Sequence, residues 1–390
     1  MLSFETWQSL KEARKNINKY GRVQYSIHII TIMPSFREIR EALLFGYYDN
    51  ILDDQEFLLL YDLHRSRNPD FPYWRHAEFD LDKLNEDECI ANFRFKKNDI
   101  YILKELFQIP DEVVCYNRSK LDGIEALCIF LGRYAYPVRY GSMIPIFGRS
   151  VPELCMTNYN ILNHIHNNYG RLLSGFNHPW MSPASLEEYA HVIHNKGGAL
   201  DFCWGFVDGT VRPVSRPGQN QRILYNGHKR VHSIKFQSVV IPNGLIANLF
   251  GPVEGKRHDA AMLAQSGLLG QLQQHSHATD GRILCIYGDP AYPLRRQLQA
   301  PFKGPRLTAQ QTGFNKSMSK VRVSVEWVFG DIANFFKFID FKKNLKVRLS
   351  AVGKMYLVCA LLQNCRTCLY GNITSGYFDC DPPNINTYLA

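Results

Sequence analysis

Phe202-Cys203-Trp204-Gly205-Phe206-Val207-Asp208-Gly209 decides the fold: an apolar, β-prone run reaches a carboxylate, and a glycine stands directly behind it. A short apolar run bounded by a turn signal reads as a buried strand. The same grammar returns in Ile283-Leu284-Cys285-Ile286-Tyr287-Gly288, which leads to Asp289-Pro290. Two such strands predict an open α/β sheet, in which acids at the ends of parallel strands face the crevice where ligands bind. Asp208 and Asp289 are therefore expected in one cleft.

Two further acids fall into place around them. From Val321 onward, Val321, Val325, Val328, Phe329, Ile332, Phe335, Phe336 and Ile339 recur every three or four residues, the spacing of one buried helical face. Glu326 lies at the edge of that stripe, so a helix packed on the sheet would present it toward the two aspartates. Asp259 follows Gly255-Lys256-Arg257-His258 and precedes the helix-prone AAMLAQSGLLGQL. It is either an N-terminal helix residue, favoured there by unpaired N–H groups and the helix dipole, or a fourth member of the acid cluster.

In order along the chain, VDGT (207–210), YNGHKRVHSIKFQ (225–237), the turn Asn243-Gly244, GKRHD (255–259), GDPAY (288–292) and VEWVFG (325–330) resemble the DDE-superfamily nuclease domain of PIF/Harbinger transposases and their domesticated relatives. The resemblance is close over residues 200–370 and looser over 90–200. It implies an RNase H-like fold whose acids bind divalent metal and cut DNA. By it, Asp208, Asp289 and Glu326 match the catalytic triad, and Asp259 matches an additional acid often counted with the metal ligands. Glu326 lies 37 positions beyond Asp289, an interval that suits the family. Leu362-Gln363-Asn364 departs from the family's Leu-His-Asn. The resemblance also implies a nuclear protein that shares DNA binding with a separate Myb-like partner, and a homo-oligomer is compatible with it.

The chemistry explains the need for acids. Hydrolysing a phosphodiester requires a nucleophilic water, stabilised charge on the phosphoryl oxygens and help for the leaving oxygen, and two metals about 4 Å apart supply all three. Mg²⁺ takes hard oxygen ligands and keeps several waters, so a few convergent carboxylates hold it, and Mn²⁺ accepts similar donors. No lysine or histidine base is required. His232 and His258 read as solvated or hydrogen-bonded side chains.

Charge points the same way. The chain of 390 residues carries a net +9, and between 290 and 354 thirteen Lys/Arg meet only three acids. Residues 209–253 add Arg212, Arg216, Arg222, Lys229, Arg230 and Lys235 with no acid. Such concentration is the footprint expected for a phosphate backbone. Arg212, Lys229, Arg230, Lys316, Lys320 and Arg322 are the candidate DNA contacts. From 51 to 112, by contrast, fifteen acids meet eight bases, which opposes DNA binding there.

The remainder bounds the architecture. No apolar run approaches the ~18 residues that span a bilayer, and MLSFETWQSLKEARKNINKYGR lacks a signal-peptide core, so a soluble intracellular protein is expected. Ten scattered cysteines read as reduced and buried, with Cys365-Arg366-Thr367-Cys368 inside an apolar helix. Phe93–Phe107 has helical spacing. Lys120 to Tyr134, Tyr140 to Gly148 and Ser150 onward read as three successive helices, the last two joined by Phe-Gly-Arg-Ser. They fit a helix-turn-helix, or a plain helical cap. The expected organisation is α/β, with a mainly helical N-terminal region (1–110), a helix-turn-helix region (111–198), an RNase H-like nuclease core (199–370) and a C-terminal tail (371–390).

Overall fold

A computed structural model describes residues 36–64 and 71–390. The opening stretch read for a signal peptide, and Asn68-Pro69-Asp70, lie outside the described residues. The chain divides into two compact units, Met1–Pro72 and Tyr73–Ala390. In the first, α1 (Phe36–Tyr48) and α2 (Asp54–His64) form a helical hairpin. Asp54 and Glu56 occupy the first turn of α2, where the helix dipole favours negative charge. Tyr47 closes the hairpin, its hydroxyl donating to Asp54 Oδ1 at 2.7 Å and its ring lying 5.0 Å from that of Phe57.

The second unit begins with helices. These are α3 (Glu86–Phe93), α4 (Lys97–Leu106), a hairpin of β1 (Glu112–Val114) and β2 (Lys120–Asp122), then α5 (Gly123–Ala135), α6 (Tyr140–Phe147), α7 (Val151–Tyr169) and α8 (Pro183–Asn195). Two helices are shorter than their apolar spacing predicts. Arg94 ends α3 in the left-handed conformation, which breaks the Phe93–Phe107 pattern. Lys120–Asp122 pairs with β1, so α5 begins only at Gly123, where the Asp122 carboxylate accepts from the N–H groups of Ile124 and Glu125.

Ala126 to Leu131 of α5 are all buried, and α7 packs along it. A capping box of Ser150 and Glu153 starts α7, with Pro152 in its first turn. Leu154, Ile161, Leu162 and Ile165 are buried on α7, and the helix carries no Lys or Arg. Between α6 and α7, Arg149 grips the buried Glu125 through two parallel bonds, Nε to Oε1 at 2.9 Å and Nη2 to Oε2 at 2.8 Å.

The sheet follows, with β3 (Cys203–Pro213), β4 (Tyr225–Asn226), β5 (Val231–Val240), β6 (Ile246–Glu254), β7 (Cys285–Tyr287) and β8 (Leu298–Gln299). β6, β5 and β3 are antiparallel neighbours, while β3, β7 and β8 are parallel. β3 does not stop at Asp208 as the following glycine suggests. Asp208 to Pro213 keep pairing with Ser238 to Ser233 of β5, and it is the pairing with β7 that ends, at Phe206 and Tyr287. Asp208 thus stands where the parallel part of the sheet opens.

Helices complete the unit: α9 (Asp259–Ser266), α10 (Leu268–His275), α11 (Ala309–Arg322), α12 (Ser324–Phe335), α13 (Val352–Tyr370), α14 (Ile373–Phe378) and α15 (Ile385–Leu389). The stripe from Val321 to Ile339 is buried apart from a half-buried Phe335, although α11 and α12 meet at a break at Val323. On α13, Asn364 accepts from Ile246 N–H and donates to Ile246 C=O, both at 2.9 Å. Its amide therefore satisfies backbone groups on the open side of β6, an edge that would otherwise invite pairing. The stretch read as a tail supplies Phe378, Ile385 and Tyr388 to the core. All ten cysteines are free, eight of them buried. Among the described residues no helix is long and apolar enough to cross a membrane.

Candidate active site

The β3–β7 register fixes the first two acids. Phe206 pairs with Tyr287, so Asp208, still on β3, and Asp289, two residues past the end of β7, leave the same end of the parallel pair, and the charge of Asp289 acts on Asp208. Each is held by a neighbouring N–H: Gly209 donates to Asp208 Oδ1 at 2.8 Å, and Ala291 to Asp289 Oδ1 at 2.9 Å. Burial pushes both carboxyls above the ordinary aspartate range. For Asp208 the Arg322 guanidinium and the Gly209 N–H pull back, and the Asp289 charge pushes further up. For Asp289 the Ala291 N–H pulls back, and Asp259 adds repulsion.

Arg322 connects this pair to the third acid. From the last turn of α11, its Nη1 donates to Asp208 Oδ2 at 3.0 Å, and its Nη2 stands 3.9 Å from Glu326 Oε1 on the first turn of α12. Glu326 is 59% exposed. The i,i+4 spacing of Arg322 and Glu326 was a readable signal of their nearness, whereas the Asp208 contact spans 114 residues.

Asp259 approaches from the other face. Successive strand residues point to opposite sides, so Gly209 and Val211 face away from Asp208. A Cβ on Gly209 would meet Asp259 Oδ1 at 2.9 Å, and Lys235 lies directly across from Val211. There the Lys235 ammonium is paired with Asp259 and also donates to Arg257 C=O at 3.0 Å. Asp259 opens α9, as its helix-terminal reading expects, and its charge is met by a lysine that sequence reasoning did not single out. A lysine within Ser233-Ile234-Lys235-Phe236-Gln237 looks like the solvent side of an alternating strand, yet Lys235 is 8% exposed.

Tyr292 feels the charges of both groups. Among the described residues its buried hydroxyl has no hydrogen-bond partner, and its ring packs on the Gly288 backbone. Burial raises the phenol well above its ordinary value, and the charges of Asp259, Asp208 and Asp289 raise it further. Among the described residues no three His, Cys, Asp or Glu side chains stand close enough to hold one ion as arranged. Arg322 sits between Asp208 and Glu326, and the strand separates Asp259 from Asp208.

The basic candidates divide into two sets. Lys229, Arg230, Lys316 and Lys320 are exposed, the first two in the turn between β4 and β5 and the others on α11. Arg212 instead donates to Phe329 C=O at 3.1 Å and lies 4.9 Å from the Tyr356 ring centre, while Arg322 is engaged by Asp208. His258 is an exposed residue at the N-cap of α9, and His232 is half-buried edge-on to Tyr225.

A family model matches the part of the chain that carries these residues. Residues 207–364 match the family model for the DDE superfamily endonuclease. "Protein ALP1-like" from Arabidopsis thaliana is 25% identical over 194 residues, 47% of this chain and 47% of its own length. "Probable transposase for insertion sequence element IS702" from Microchaete diplosiphon is 23% identical over 129 residues, 31% of this chain and 43% of its own. The chain thus spans less than half the length of these curated relatives. No solved structure matches it. The matched span contains Asp208, Asp259, Asp289 and Glu326, so the acids fall inside the part of the chain that is similar to DDE-superfamily endonucleases.

Proposed function

We propose that this chain is a divalent-metal-dependent DNA endonuclease or transposase of the DDE type. The observation that carries the reading is that Asp208 and Asp289 come together where the parallel pairing of β3 and β7 ends, with Glu326 tied to Asp208 through Arg322. The sheet order, three antiparallel strands continued by two parallel ones, supports an RNase H-like core at 199–370. Hard carboxylate oxygens suit Mg²⁺ or Mn²⁺, and the unpaired Tyr292 hydroxyl in the same pocket is a donor that a polar group bound there would satisfy.

Asp208, Asp289 and Glu326 would hold the metal, with Asp259 as the further acid of the pocket. Bound metal supplies charge stabilisation at phosphorus and an activated water or 3′-hydroxyl. The remaining work falls to the protein. The N–H groups of Gly209 and Ala291 fix the rotamers of the two aspartates, and Arg322 keeps Asp208 and Glu326 on the same side of the cleft. Lys229, Arg230, Lys316 and Lys320 would bind DNA phosphates. Arg212 and Arg322 contribute charge to that field from guanidinium groups engaged within the protein.

The same reading includes a helix-turn-helix at α5 to α7, whose order and Gly148–Ser150 turn suit it. With no cation on α7, base reading there would fall to polar side chains such as the exposed Asn167 and Asn168. A nuclear location, a Myb-like DNA-binding partner and a homo-oligomeric form belong to the proposal as well.

The test is nicking of supercoiled plasmid by the purified chain with Mg²⁺, Mn²⁺ or EDTA, beside Asp208→Asn. Metal-dependent nicking that the variant loses supports the reading; nicking that survives EDTA or the substitution overturns it. One observation favours a second reading, a domesticated DNA- or protein-binding factor that keeps the fold without cleavage: Arg322 already neutralises Asp208. Tight DNA binding with no nicking under any metal supports that alternative.

A further inference from the structure

Asp259 and Lys235 differ from the rest of the pocket in being matched one to one. The Lys235 side chain is buried on β5, and Asp259 is the carboxylate that meets it. The lysine also holds Arg257 C=O, so it fastens the Gly255–Asp259 loop to the sheet. That loop is seated tightly, since a Cβ on Gly255 would meet Leu224 C=O at 2.4 Å and Ser233 Oγ at 2.4 Å. Asp259 therefore comes to its place on a fixed loop, against Gly209, on the face of β3 opposite Asp208. A buried lysine with its partner removed is an uncompensated charge in a low-dielectric site. Here that charge would face the pocket of Asp289.

We infer that Lys235 and Asp259 form a positioning pair: Asp259 serves the pocket by neutralising Lys235 and fixing the loop, not as a metal ligand. The inference rests on the metal-dependent reading above and names which of the four acids stands outside the ligand set.

The test is Mn²⁺ affinity by calorimetry on the full chain, with the melting temperature of each variant in EDTA as a check of folding. Asp259→Asn leaves the ammonium unpaired beside the pocket and is expected to weaken Mn²⁺ binding by about 10-fold. Lys235→Met alone leaves an extra negative charge and is expected to tighten it. In Asp259→Asn/Lys235→Met the pair is again neutral, and affinity is expected to return to within about 3-fold of wild type. Asp208→Asn is expected to weaken binding at least about 10-fold, with no recovery on adding Lys235→Met.

A double variant that folds yet stays as weak as Asp259→Asn overturns the inference and makes Asp259 a ligand. Lys235→Gln replaces Lys235→Met if the latter does not fold. A wild-type chain that binds no Mn²⁺ overturns the metal reading and this assignment with it, a result distinct from failed rescue.

Discussion

Two arginine–carboxylate pairs, one in the helical part and one in the acid pocket, use the same groups in different ways. Arg149 meets Glu125 with both ends of its fork, at 2.9 and 2.8 Å. Arg322 gives Asp208 a single bond of 3.0 Å and stands 3.9 Å from Glu326. Burial raises both Glu125 and Asp208, and in each case the arginine pulls back. The fork on Glu125 is a closed contact, fixed by geometry that favours bidentate pairing. In the pocket one guanidinium is divided between two acids, with Asp289 repelling Asp208 from the side. The first pair is architecture, and the second leaves negative charge for another cation.

The largest effect should come from the pocket acids. Asp208→Asn, Asp289→Asn and Glu326→Gln are each expected to lower metal-dependent nicking on the order of 10³-fold, with melting temperature and DNA affinity retained. Full activity in any one removes that residue from the ligand set. Next comes the direct contrast. Arg149→Met should destabilise the fold by about 3–5 kcal/mol in urea unfolding, because Glu125 is left buried and unpaired. Arg322→Met should lose only about 1–2 kcal/mol, since it gives up one charge-assisted bond. Equal losses would erase the distinction drawn here.

Smaller effects sharpen it. Lys316→Ala/Lys320→Ala should reduce the slope of log affinity against log salt by roughly 2 and leave nicking at saturating DNA unchanged. A slope equal to wild type would take these lysines off the phosphate backbone. The smallest effect is on pH. Glu125 has a folded value raised above 4.5, so the folded state binds its proton more tightly than the unfolded chain does. That contribution is fully present below 4.5 and is lost as pH rises through the folded value. Glu125→Gln should flatten the fall in unfolding free energy over that window, and an unchanged profile would assign the fall to other groups.

Local pattern was legible, and long-range pairing was not. The stripe from Val321 to Ile339 and the helix start at Asp259 were visible because burial and helix termini write their periods into nearby residues. The continuation of β3 beyond Asp208 was hidden. Gly209 reads as a turn, and only the ladder with β5 holds it extended. The burial of Lys235 was hidden for a related reason: its partner Asp259 and the Arg257 carbonyl come from a segment 22 to 24 residues away. The Arg322–Asp208 bond joins residues far apart in sequence, so no local signal announces it.

The parallel pairing of β3 with β7 has a consequence for how such a protein is made. Asp208 and Asp289 become neighbours only after β5, β6, α9 and α10, which separate their strands in sequence, have been made, and contacts that span so much chain are slow to form. Glu326 arrives later still, on α12. A nascent chain emerging from the ribosome therefore has no assembled acid pocket until α12 has been made.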